Sequence, residues 1–85
     1  LALNDKIEIM SKRTTKEKIM AFLVKEAKRQ GAASFEIEMD RQTMADYLGV
    51  ERSAMSAEIG KLRKEGRIQA EKRRFTISDQ LETEG

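Results

Sequence analysis

The chain has 85 residues with a net charge of +2; 39% are hydrophobic and 38% charged, which provides for one small core under a solvated surface and no second domain. It contains no cysteine and no histidine, so disulfides are excluded and a zinc, haem or iron–sulfur site lacks its usual ligands, as hydrolytic chemistry lacks its commonest base and nucleophile. No apolar run approaches the roughly 20 residues a bilayer-spanning helix requires, and no leader pattern precedes a cleavage site; we therefore expect a cytoplasmic protein with no membrane partner.

The chain begins at Leu1 rather than a methionine, which suggests a domain cut from a longer protein. Leu3, Ile7 and Met10 are spaced four and three apart, the pattern of a helix seam and the expected tail of a helix that pairs with a partner. Next, Thr14 with Glu17 three residues on forms a capping box, Ile19, Phe22, Leu23 and Ala27 follow helical spacing, and Gly31 stands where a C-terminal cap belongs. This predicts a helix over 15–30. Its polar face carries Lys16, Lys18, Lys25, Lys28 and Arg29; without tryptophan it reads as the solvated back of a core helix rather than a membrane anchor.

Phe35, Ile37 and Met39 alternate with Glu36 and Glu38, the period of a half-buried strand over 35–39. Asp40 then caps a helix with Met44, Ala45 and Leu48 inward. Gly49 ends it, Val50 lies in the turn, and a further helix over 52–65 has Met55, Ile59 and Leu62 as its apolar stripe, with Gly66 closing it. A glycine there permits a positive φ in a tight turn, and Ala45 is small enough to sit where the two helices touch. Finally, Ile68 and Ala70 face Phe75 and Ile77 across a charged turn at Glu71-Lys72-Arg73, which predicts a β-hairpin within 67–78. Asp79 to Gly85 forms an acidic tail, expected to fray.

The order helix, strand, helix, tight turn, helix, hairpin is that of an α+β winged helix-turn-helix, with the helix-turn-helix at 40–66 and the wing at 67–78. Charge agrees with such a module: the segments 1–30, 31–50, 51–75 and 76–85 carry +4, −3, +4 and −3, and Lys61, Arg63, Lys64, Arg67, Lys72, Arg73 and Arg74 form one basic block.

The run IEMDRQTMADYLGVERSAMSAEIGKLRKEGRIQAEKRRFTI resembles the C-terminal DNA-binding domain of the Crp/Fnr family, bacterial transcription regulators related to the cyclic-AMP receptor protein. The resemblance covers about residues 14–78 and rests on Arg41-Gln42, Leu48-Gly49, Arg52, and Leu62 to Ile68 with Glu65-Gly66. It implies a dimer that reads a palindromic operator in double-stranded DNA, an N-terminal effector-sensing domain outside these residues, and RNA polymerase as a further partner. Residues 1–13 then represent the end of the dimerisation helix and a linker. No cofactor is expected in this domain; an effector would bind the sensing domain.

A helix in the major groove reads base edges with the outward residues of its N-terminal end, here Arg52, Ser53 and Ser56, followed by Ala57 and Gly60. Arg52 can fork onto guanine; its plainer alternative is a solvated side chain or a pair with Glu51. Phosphate contacts are expected from Arg41, Gln42 and Thr43, whose helix start offers free N–H groups, and from Lys72, Arg73 and Arg74 on the wing. The chain departs from the family pattern at Ala57, where a second arginine is frequent, at Ser53, where a glutamate is, and at Glu51, where Ser or Thr often caps. Gly60 inside the helix costs about 0.5–1 kcal/mol relative to alanine, and allows close approach of DNA or of a neighbouring helix. Two other classes compete with this reading. A winged helix can serve as a protein-interaction module, against which the basic wing argues. An enzyme is disfavoured because Ser53, Ser56 and Tyr47 have no partner base.

Overall fold

The computed structural model describes residues 3–78. Thr14 starts the longest helix: its Oγ1 accepts the Glu17 N–H at 3.1 Å, while the Glu17 carboxylate accepts the Thr14 N–H at 3.4 Å, closing the capping box. Helix α2 (Thr15–Gln30) then runs to Gly31, whose φ of 71° ends it in the left-handed region. The short α1 (Leu3–Met10) precedes it.

After α2 come β1 (Ser34–Glu36), α3 (Arg41–Leu48), α4 (Arg52–Lys64), β2 (Ile68–Glu71) and β3 (Arg74–Ile77). The strands form one antiparallel sheet in the order β1-β3-β2. Phe75 sits at its centre, opposite Phe35 on one side and Ala70 on the other, and the two phenyl rings stack with centroids 6.5 Å apart. Side chains alternate across such a sheet, so Phe35, Ile68, Phe75 and Ile77 all enter the core while Glu36, Gln69 and Arg74 face out. Ile19, Phe22 and Leu23 of α2, Met44, Ala45 and Leu48 of α3, and Met55, Ile59 and Leu62 of α4 complete one continuous apolar cluster. Burying each large side chain of this cluster contributes about 1.5–3 kcal/mol.

Gly49 has φ 71° and donates its N–H to the carbonyls of Ala45 and Asp46, and Val50 returns to Ala45 at 3.0 Å. These bonds satisfy the last turn of α3 and turn the chain sharply into α4. The result is the winged helix-turn-helix expected from the element order.

Several boundaries differ from expectation. The strand expected over 35–39 stops at Glu36, because its partner β3 begins at Arg74 and has already turned; Ile37 still donates to the Arg73 carbonyl at 2.9 Å, and Met39 is half-buried. The helix expected over 52–65 ends at Lys64, with Glu65 as its cap and Gly66 at φ 77° beyond. Within the expected wing 67–78 the strands occupy 68–77, and Glu71 pairs with Arg74 rather than sitting in the turn, which leaves Lys72 and Arg73 as a two-residue loop. Lys72 takes a positive φ of 55°.

The seam residues of α1 behave differently from one another. Leu3 and Ile7 are 74% and 59% exposed, whereas Met10 covers the Gly49 turn: a Cβ on Gly49 would lie 2.7 Å from the Met10 methyl. It is Ile9, outside the predicted seam, that is fully buried. Lys25, expected to be solvated, bridges α2 to Glu8 at 2.9 Å and Asp5 at 3.4 Å, and Lys6 lies 4.9 Å above the Tyr47 ring. The expected acidic tail, 79–85, lies outside the described residues, as do the first two positions of the 1–13 segment.

Candidate nucleic-acid interface

Helix α4 is fixed on one side and free on the other. Met55, Ile59 and Leu62 are at most 5% exposed, which anchors the helix on α2, α3 and β2. On the free side Arg52, Ser53, Ser56 and Ala57 are exposed. The side chains of Arg52, Ser53 and Ser56 make no hydrogen bond or ion pair among the described residues, so the pair of Arg52 with Glu51 is not formed. Glu51 occupies the N-cap with extended backbone and makes no capping hydrogen bond, which leaves α4 without the side-chain cap that α2 and α3 have.

The start of α3 is engaged by its own side chains. Asp40 caps it, its Oδ1 accepting the Thr43 N–H at 2.8 Å, so that donor is not free for a phosphate. The hydrogen bonding from Thr43, with Arg52 and Arg73 adding positive potential, holds the Asp40 carboxyl below its usual range. Gln42 is turned along its own helix, donating to Asp46 at 3.0 Å. Arg41 lies over the buried Phe75, its guanidinium carbon 4.8 Å from the ring centroid, and its Nη1 is buried without a partner. Burial, then the charges of Arg52 and Arg63, depress its affinity for a proton. The N-terminal end of α4 and the start of α3 thus share one positive field that internal acids leave largely unneutralised.

The wing supplies the remaining cations in three different settings. Lys72 projects from the hairpin tip with no side-chain partner among the described residues. Arg73 donates to the Glu38 carbonyl at 3.0 Å, which ties the tip to the loop before α3. Arg74 lies on the outer face of the sheet and donates to Ser34 Oγ at 3.2 Å. Sequence reasoning placed all three on the wing; the partners of Arg73 and Arg74, the Glu38 carbonyl and the Ser34 hydroxyl, were not readable because they lie more than 30 residues away along the chain.

Arg63, part of the basic block in the sequence but not among the expected contacts, also belongs to this field. It stands eleven residues after Arg52, about three turns on a helix of 3.6 residues per turn, so helical spacing alone could have placed it on the same side. No neighbouring helix approaches Gly60: a Cβ there would meet nothing within 4 Å, which removes helix packing as the reason for that glycine.

Among the described residues no group of acids is placed to hold a metal ion, and no helix is long and apolar enough to cross a membrane. A small sheet whose hairpin stands beside a helix, itself held across a tight turn from another, defines the winged helix-turn-helix class, in which the second helix of the pair is presented to DNA. The chain matches the model of the Crp-like helix-turn-helix domain over residues 17–81 and belongs to that family. The family is one of DNA-binding regulator domains and not an enzyme class. A solved structure assigned as a transcriptional regulator of the Crp/Fnr family from Eubacterium rectale has the same fold, with a TM-score of 0.71 at 24% identity. That likeness covers 92% of this chain but 36% of the other, so the chain spans about a third of that regulator's length. No curated protein matches the chain.

Proposed function

We propose that this domain is the operator-reading part of a dimeric bacterial, cytoplasmic transcription regulator, with the N-terminal end of α4 in the major groove of double-stranded DNA and the wing on the phosphate backbone. One observation carries the reading: Arg52 is exposed and unpartnered at the first turn of a helix whose opposite face is locked into the core. An arginine so held can fork onto guanine O6 and N7, a contact worth roughly 1–3 kcal/mol of discrimination. Ser53 and Ser56 add hydroxyls that accept or donate and so discriminate less.

Arg41, Gln42, Thr43, Lys72, Arg73 and Arg74 serve as phosphate contacts that set register. Of these, Lys72 is ready as it stands, while Gln42, Thr43, Arg73 and Arg74 exchange an internal hydrogen bond for a phosphate oxygen. Paired copies joined through a helix that continues α1 would read half-sites about one helical turn apart. RNA polymerase is the further partner of such a regulator once it is seated on its operator.

Selection of duplexes from a random pool by a dimeric form, at two salt concentrations, tests the proposal. The expected result is an enriched palindrome whose affinity falls steeply with salt. Recovery of no preferred sequence, together with salt-independent binding, rejects it and favours a protein-interaction module.

A further inference from the structure

Beside the outward face of α4, between its C-terminal half and the strands of the wing, runs an open groove of about 720 Å³. Gly60 forms part of its floor, Arg63 and Lys64 rise from α4, and Gln69, Arg74 and Thr76 stand on the strand side. Glu71 is the acid on this rim. The side chains of Arg63 and Lys64 have no hydrogen bond or ion pair among the described residues, although Lys61 and Glu65 on the same turns are paired.

Gly60 is unexplained by the fold itself. Its φ is not positive, so no backbone conformation requires glycine, and the space above it is open, so no neighbour requires the missing Cβ. A mid-helix glycine lowers helix stability relative to alanine. Gly31, Gly49 and Gly66 all carry positive φ and need no further reason. Inside the groove, therefore, lies a position kept bare at a cost the domain does not recover internally, flanked by two uncommitted cations.

We propose that this groove seats a backbone phosphate of the bound duplex, with Gly60 admitting the sugar–phosphate chain against the helix and Arg63 and Lys64 closing on its charge. The inference rests on the DNA-binding reading above and adds Gly60, Arg63 and Lys64 to it. A phosphodiester fits better than an acidic polypeptide because Gly60 and Arg63 follow Ser53 and Arg52 by seven and eleven residues and so share their side of α4, which lets one duplex reach both. The repulsion that Arg63 already exerts on Arg41 is relieved when an anion enters.

The test uses the full 85-residue chain and a short random-sequence duplex, followed by fluorescence anisotropy between about 50 and 200 mM salt. Gly60→Gln, which fills the groove with an uncharged helix-favouring side chain, is expected to keep its Tm and weaken binding roughly tenfold. Gly60→Ala, which cannot compromise folding through a clash, is expected to raise Tm and still weaken binding. The double variant Arg63→Gln/Lys64→Gln should flatten the salt slope by about 0.9 for each phosphate released. The charge-matched control Lys18→Gln/Lys28→Gln, on α2, should leave the slope near that of the wild type.

The proposal is overturned if both Gly60 variants bind duplex as the wild type does, or if the control pair flattens the slope as much as the groove pair. Loss of polyglutamate binding in Gly60→Gln with duplex binding intact would also overturn it, in favour of an acidic protein partner. Absence of any salt-dependent duplex binding by the wild type would instead remove the DNA reading on which it rests.

Discussion

Glu51 and Lys72 show how single residues trade stability against recognition in this domain. Glu51 has the extended backbone of an N-cap, yet its side chain satisfies none of the free N–H groups at the start of α4. Glu51→Ser should therefore stabilise the fold by about 1 kcal/mol, through a new capping hydrogen bond. Under the proposed function it should also tighten DNA binding, by removing a negative charge next to Arg52. Thermal denaturation and anisotropy on the same samples would check both signs. At the hairpin tip, Lys72 holds φ at 55°, a conformation that costs an L-residue roughly 1–2 kcal/mol and glycine almost nothing. Lys72→Gly is expected to raise Tm by a few degrees while lowering duplex affinity at low salt, since the strained residue is also an exposed cation of the wing with no side-chain partner among the described residues. An unchanged affinity would remove Lys72 from the phosphate contacts.

At the scale of elements, the joint between α2 and β1 is electrostatic. Glu26 is buried, and although burial raises its pKa, the hydrogen bonds from Arg29 at 2.9 Å and Gln30 at 2.8 Å outweigh this and lower it overall. Gln30 also donates to the Glu36 carbonyl, which links the end of α2 to the sheet. A carboxylate whose folded pKa is depressed contributes stability that is present above its unfolded pKa, about 4.3, and is lost as pH falls through the folded value. Glu26→Gln should accordingly lower Tm at neutral pH and reduce the further drop in Tm below pH about 4, measured by a pH series of thermal melts. Equal acid sensitivity in the variant would show that other carboxylates, such as the Asp40 cap, carry that slope.

Which elements were legible in the sequence follows from whether their signals were local. Thr14, Glu17 and Gly31 define α2 from within its own sequence, and Gly49 does the same for the turn between α3 and α4. The end of β1 was not legible, because the ladder stops where the distant hairpin turns. Nor was the inner face of α1, since Ile7, Ile9 and Met10 are all apolar and spacing alone does not say which of them meets the core. Glu26 was passed over because a charged residue on a helix is ordinarily solvated; only the fold reveals the partners that let it be buried. In the site, the outward set Arg52, Ser53 and Ser56 followed from the apolar stripe opposite, whereas the seating of Arg41 on Phe75 depends on a contact across 34 residues of chain.

For the whole molecule, the proposed function divides the labour between α4, reading sequence, and the wing, gripping the backbone. Contacts of the two kinds respond differently to mutation: losing a base contact relaxes preference at one position, while losing a phosphate contact weakens all sequences alike. The chain spans about a third of the length of the regulator whose structure it resembles, and under the proposed function its full affinity would belong to a paired form. The most direct measurement is therefore selection from a random duplex pool by dimerised wild type, Arg52→Ala and Arg73→Ala, each followed by a salt titration on the selected and a scrambled site. The account predicts that Arg52→Ala loses selectivity at one base pair per half-site, by roughly 1–3 kcal/mol, with its binding to the scrambled site little changed. It predicts that Arg73→Ala keeps the selected sequence, and that its salt slope falls by about 0.9 per subunit. Unaltered selectivity in Arg52→Ala, or a changed sequence preference in Arg73→Ala with the slope intact, would contradict it.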